Sequence, residues 1–235
     1  MENSAEKIKL MPSNTSGINT ETKVNGQKLE RFTSFKYLGS VTTDEGSKPE
    51  ILPRTAQITA ALTRLKPVWN EKSISLSSKI QLMRSLVTFI FLYACESWTL
   101  TAELQRRTQA MEMRCYRKIL HTSYKDHVTN EEVCAKIQQP IASHEDLLII
   151  VKRRKLQWYG HVSHSSGLAK TILQGIVKRG RQQGRQRDRW EDNIRKWTGL
   201  EFGRSKRAVE NMGKWRKLVS KSSLVPKQPS PLRDR

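Results

Sequence analysis

TAELQRRTQAMEMRCYRKI, residues 101–119, sets Leu104, Thr108, Met111, Cys115 and Ile119 three and four residues apart. That step follows the 3.6-residue turn of an α-helix, so the five side chains share one face. A helix with one apolar face has to bury it against a neighbour, and the flanking sequence supplies neighbours of the same kind. Upstream, Ile51, Thr55, Ile58, Leu62, Leu65 and Trp69 repeat the period, with Pro67 close to its end. A helix following Ser77 buries Ile80, Met83, Val87, Ile90 and Ala94. Downstream, Thr129 and Glu132 have capping-box spacing and open a short helix through Val133 and Ile137 that stops before Pro140. Ser143 caps the next helix, which turns Leu148, Val151, Trp158 and Val162 inward and leaves Lys152, Arg153 and Arg154 mostly outside.

The two ends of the chain read differently. The first 45 residues look like strands and turns. Asn25-Gly26 is a strong hairpin signal because both residues tolerate positive φ, and Phe35 to Val41 is aromatic and β-branched enough for a strand, closed by a turn at Asp44 to Ser47. Past Gly167, Thr171 to Val177 reads as a short strand or strand pair, and Lys178 to Arg189 as a basic loop. Two helices follow, one marked by Trp190, Ile194 and Trp197, the other by Ala208, Met212, Trp215 and Val219. From Lys221 the Ser, Pro and Arg content suggests a disordered tail. The fold class expected is therefore mainly α, with an N-terminal β-hairpin segment and a short β element near the C-terminus.

Charge narrows the function. The formal net charge is +21, and residues 151–220 hold 19 Lys+Arg against 5 Asp+Glu, so +14 of it lies in less than a third of the length. Trp158, Trp190, Trp197 and Trp215 lie in the same stretch. Concentrated cation suits a polyanion, because Lys and Arg displace the counterions of phosphates. An anionic lipid surface would favour basic residues opposite a greasy face, whereas here they are scattered among Gly, Gln, Asp and Trp. The longest greasy run, Leu86 to Cys95, is about half of the roughly 20 residues a membrane helix needs. No membrane partner is expected. Met1 to Leu10 holds two glutamates and no hydrophobic region, unlike a secretory signal. Cys95, Cys115 and Cys134 form no close pair and read as inert thiols in a reducing compartment, so an intracellular location, nucleus or cytoplasm, is expected.

Arg179, Arg181, Arg185, Arg187 and Arg189, interleaved with Gly180 and Gly184, are the best candidate contacts: guanidiniums bind phosphate bidentately and glycine lets the backbone approach. Lys152-Arg153-Arg154-Lys155 is a second candidate. Trp190, Trp197 and Trp215 lie on apolar helical faces and read as core, while Trp158 could face solvent or a base. Catalytic readings find no support: there is no HExxH, GxSxG or Walker sequence, the five histidines lack ligand spacing, and Asp126-His127 has no nucleophile tied to it. No catalytic and no metal-ligating residue is assigned.

Several segments in order carry a family resemblance. Phe35-Lys36-Tyr37-Leu38-Gly39, Tyr93 to Trp98, Glu112 to Arg117, Asp126 to Val133, Arg154 to Val162, and Gly184-Arg185-Gln186 followed by Trp190 resemble the C-terminal part of LINE-like, non-LTR retrotransposon endonuclease-reverse transcriptases. The similarity runs from about residue 5 to 231 of the sequence. It implies that Phe35, Lys36, Tyr37, Leu38 and Gly39 form the primer-grip hairpin at the foot of a polymerase palm, and that the helices after it form a thumb holding the template-primer duplex. It also implies a division into a palm-edge segment (1–48), a thumb-like helical bundle (49–140), a basic C-terminal domain (141–220) and a tail (221–235). Ala5 to Met11 is similar to the last palm strand, with Lys7 at the position of a lysine that assists catalysis. The paired metal-binding aspartates of that family lie upstream of this strand and are absent here. Two-metal nucleotidyl transfer needs clustered carboxylates. The expectation is a binding fragment with no cofactor of its own, Mg²⁺ belonging only to a complete polymerase, and RNA, DNA or an RNA–DNA hybrid as partner, with upstream palm and endonuclease domains as further partners. The alternatives are part of an active RNA-directed DNA polymerase completed by upstream sequence, and a host-adopted or inactive relic.

Overall fold

A computed structural model describes residues 23–24, 26–28, 30, 32–37, 39–43, 46–140, 145–174 and 189–224. They are mainly helical, with two small antiparallel hairpins ahead of the helices. In the first, β1 (Lys23–Val24) pairs with β2 (Gln27–Lys28), and Gly26 at φ +80° makes the turn that the Asn-Gly signal announced. The second corrects the sequence reading. Phe35 to Val41 is not one strand but the centre of a hairpin, β3 (Ser34–Tyr37) against β4 (Ser40–Thr43), with Phe35 opposite Thr42 and Lys36 opposite Val41. Gly39 at φ +88° reverses the chain there, a conformation that a side chain would resist.

The helices are α1 (Lys48–Arg64), α2 (Lys66–Asn70), α3 (Leu76–Phe91), α4 (Ala102–Ile119), α5 (Asn130–Gln138), α6 (Leu147–His164), α7 (Leu168–Gln174), α8 (Trp190–Thr198), α9 (Phe202–Glu210) and α10 (Met212–Leu224). Three of the starts follow capping chemistry directly. The hydroxyls of Ser75, Thr101 and Thr129 accept N–H groups of Ser78, Leu104 and Glu132, and the Glu132 carboxylate accepts the Thr129 N–H at 2.8 Å to complete the box. On α4 all five periodic side chains are buried as expected. Helix α6 starts differently. Ser143 lies outside the described residues, Asp146 precedes the helix without capping it through its side chain, and Glu112 reaches over from α4 instead. Both its carboxylate oxygens lie 3.1 Å from the Leu147 N–H, and Oε1 also accepts the Tyr116 hydroxyl at 2.7 Å. A buried carboxylate at the positive end of a helix is thereby satisfied and holds two helices together.

Two further readings change. Thr171-Ile172-Leu173-Gln174 belongs to α7, not to a strand; Gly175 to Val177 lie outside the described residues. Helix α7 packs on α6, and Leu173 leans on the apolar cluster beneath, so tertiary contact overrides local β-propensity. The last helical stretch is broken in two at Asn211, which leaves helical geometry at φ −103°, ψ 94°. Its side-chain oxygen then accepts the Lys214 N–H at 3.0 Å, capping α10, which continues to Leu224.

Two hydrophobic clusters result. The larger gathers Ile51, Ile58, Leu62, Ile80, Met83, Phe91, Trp98, Leu104 and Met111 with Val133 and Ile137, and ends on Leu147, Leu148 and Val151 of α6. The smaller holds Leu156 and Tyr159 of α6 with Ile194, Val209, Trp215 and Val219. Helix α6 runs through both. Because its partners change midway, Leu156 and Tyr159 take the inner positions and Trp158, which shares the inward period but could also face solvent, is 38% exposed.

Candidate nucleic-acid interface

The described basic candidates divide sharply by burial. Lys152 and Lys155 are enclosed, at 6% and 0% exposure, and do not present their charge to solvent as an open surface cluster would. Lys155 Nζ donates to the Trp98 carbonyl at 2.6 Å and to Asn193 Oδ1 at 2.8 Å, and lies 4.3 Å from the centre of the Trp190 ring. Burial pushes this ammonium well below the ordinary lysine range, and neither hydrogen-bond partner is a carboxylate. Arg153 is half-buried against Glu145, and Arg154 donates to the Leu92 carbonyl at 3.1 Å. Arg189 is exposed ahead of α8, its N–H held by Asp192 Oδ2 at 2.7 Å. Arg179, Arg181, Arg185 and Arg187 lie outside the described residues.

What Lys155 and its neighbours hold is the segment 91–100. This stretch has little regular structure of its own, with Ala94 at φ +50° leading into a single 3₁₀ turn at Cys95–Ser97, so its carbonyls need outside donors. Arg54 donates to the Phe91 and Tyr93 carbonyls while paired with Glu50, and Trp190 Nε1 donates to Glu96 at 2.8 Å. Asn193 grips Leu100 twice, accepting its N–H at 2.8 Å and donating to its carbonyl at 2.9 Å. Two of the segments that carry the resemblance, Tyr93 to Trp98 and Arg154 to Val162, therefore meet as a polar joint inside the protein. Gly160 completes this packing: Trp215 lies where a β-carbon would stand, 2.2 Å from its Nε1, and Trp215 donates to the Leu156 carbonyl at 3.1 Å.

Of the primer-grip-like residues, Phe35 and Lys36 are exposed on β3. Gly39 faces Tyr93, a β-carbon there standing 3.7 Å from Cε1. Leu38 lies outside the described residues. Trp190 and Trp197 are half-buried and Trp215 is enclosed, in keeping with a packing role, and Trp158 meets Trp190 edge-on at 5.4 Å with part of its ring outside.

Among the described residues, two further basic surfaces stand out. One is a shallow open groove of about 700 Å³ lined in part by Thr55, Thr59, Thr63, Arg64 and Arg114. Its three threonine hydroxyls already donate to carbonyls one turn back in α1, and Lys118 donates to Thr63, so it offers only two arginines. The other is the outside of α9 and α10, which the sequence reading passed over. Lys214, Lys217 and Lys221 recur at steps of three and four opposite buried Trp215 and Val219, and Arg204 and Arg207 sit three apart opposite Val209. The same periodicity that marks the apolar face marks this one.

Comparison with protein-family models, with curated proteins and with solved structures finds no match to the chain.

Proposed function

We propose that the chain binds nucleic acid, RNA or an RNA–DNA hybrid, as the template-primer grip of a non-LTR retrotransposon reverse transcriptase, without catalytic aspartates of its own. One observation carries the reading: +14 of the net charge of +21 falls within residues 151–220, a region that also holds the resembling segments Arg154 to Val162 and Gly184 to Trp190. The helical layout around α4 supports it in the coarser sense that a thumb-like element is expected to be a bundle of helices. Binding should be tolerant of sequence, since Lys and Arg act on phosphates through charge and phosphates carry no base identity.

The test is a filter-binding titration of the full chain on a labelled RNA–DNA hybrid at rising salt. With six to ten phosphates engaged, affinity should fall about 10³–10⁵-fold between about 50 and 200 mM salt. A flat salt response refutes the reading, and primer extension by the chain alone with Mg²⁺ would replace it with an enzyme.

A further inference from the structure

We infer that the outer face of α9 and α10, led by Lys214, Lys217 and Lys221, is a phosphate-backbone contact surface for double-stranded nucleic acid. This inference rests on the nucleic-acid reading and gives it a place. Three observations meet on this face.

The first is unrelieved repulsion. Lys214 and Lys217 are three apart and Lys217 and Lys221 four apart, the spacings at which like charges on a helix destabilise it. Helix α10 contains no acidic residue, and across α9 and α10 only Glu210 is acidic. Among the described residues, no carboxylate forms a salt bridge with Arg204, Arg207, Lys214, Arg216, Lys217 or Lys221. Some exposed cations elsewhere are answered, Arg107 by Glu103 at 2.8 Å and Arg195 by Asp192 at 3.2 Å, whereas along this face none is. A face that keeps its repulsion is complementary to an anion from outside.

The second is geometry. Seven residues at 1.5 Å each separate Lys214 from Lys221, about 10.5 Å along the axis. A duplex strand presents a phosphate about every 3.4 Å of its own axis, so the three ammoniums match about three phosphates of one strand. The lysine stem is flexible and its ammonium a point charge, which fits phosphate contact and not base reading.

The third is the chemistry this face lacks. Val209, Trp215 and Val219 are buried, and the exposed large apolar side chains of the described residues, Phe89 and Leu168 foremost, lie outside α9 and α10. A helix that binds a lipid surface needs an apolar face to insert, and α10 has spent its own on the protein core. With Trp215 enclosed there is also no ring on α10 to stack a base.

The experiment measures fluorescence anisotropy of a labelled RNA–DNA hybrid and, separately, binding to phosphatidylserine vesicles, using the full chain. The variants are Lys214→Gln/Lys217→Gln/Lys221→Gln, the same three positions changed to Arg, and Arg179→Gln/Arg181→Gln/Arg185→Gln/Arg187→Gln. The Gln triple should bind about 10–100-fold more weakly near physiological salt, and its log–log salt slope should be shallower by about 2.7, from about 0.9 per phosphate. The Arg triple should bind like the parent, and circular dichroism melts should coincide. If the parent and the Gln triple bind alike while the loop variant does not, this face is wrong and the nucleic-acid reading stands. If the parent binds no nucleic acid, or binds only the vesicles, both fail.

Discussion

The two ends of α6 rest in cores of very different size. Its first turns, Leu147 to Val151, close a cluster contributed by α1 to α5, where aliphatic side chains alternate on long helical faces. Its later turns enter a cluster of six buried side chains, two of them the rings of Tyr159 and Trp215, under three short helices. The large core adds its buried Glu112 and Arg54 contacts to a wide continuous burial, whereas the small one, with little area to bury, leans more on directed contacts: a joint of Lys155 and Asn193 that ties it to Trp98 and Leu100 of the larger core, a Tyr159–Ser205 hydroxyl bond of 2.8 Å, and a glycine with an indole against it. Burial is additive and forgiving, while directed contacts are few and each one matters.

The sharpest way to break the comparison is Asn193→Ala. It strips the Leu100 N–H, the Leu100 carbonyl and the Lys155 ammonium of a partner inside the protein, and should cost about 3–5 kcal/mol in urea unfolding followed by tryptophan fluorescence. A cost below about 1 kcal/mol would show that the joint is not what secures the smaller core. Gly160→Ala comes next. The new methyl group displaces the Trp215 indole, for a loss of about 1–3 kcal/mol, and hydrogen exchange should rise in α8 to α10 before it rises in α4.

A smaller effect follows from the proton on Lys155. Unfolded, this lysine keeps its proton up to its ordinary value of 10.5; folded, burial lowers that value well below it. Between the two values unfolding takes up a proton, so the stability contributed here falls as pH drops from the unfolded value through the folded one. The thiols of Cys95 and Cys115, pushed by burial from 9.0 to about 12, act in the opposite sense above pH 9.0, where unfolding releases a proton. The urea midpoint should therefore rise with pH on the approach to about pH 9, and Lys155→Met should flatten that rise; equal slopes in the two proteins would remove Lys155 as the cause. The smallest expected change is in stability on replacing Lys214, Lys217 and Lys221 with Gln, within about 0.5 kcal/mol for each exposed side chain. A loss of several kcal/mol would make that face part of the small core and not a surface held open for phosphate.

The same contrast explains what could be read from the chain. The larger core was legible because α4 and α5 repeat apolar residues at one period from cap to end, and Thr101 and Thr129 mark their starts. The joint was not. Lys152-Arg153-Arg154-Lys155 reads as an open charged face, since nothing local signals that Trp98 and Asn193, 57 and 38 residues from Lys155, will take its ammonium. The period that puts Trp158 on the inward face holds only while a helix keeps one partner, and α6 changes partners at its middle, which leaves the ring part outside. The break at Asn211 was hidden by an apolar spacing that runs across it from Ala208 to Trp215. The lysine stripe of α10 is open to view in its three- and four-residue spacing, but its three charges stand out less in the sequence than the five arginines crowded into residues 179–189.

The segment 91–100 also bears on when the protein can finish folding. Its carbonyls wait for Arg54, already made, but also for Arg154, Lys155, Trp190 and Asn193, at separations reaching 94 residues. Contacts that distant form slowly, after shorter loops have closed. During synthesis the bundle of α1, α3 and α4 can assemble while this stretch still lacks most of its donors, so a chain that stops before α8 leaves its middle as well as its end unsettled.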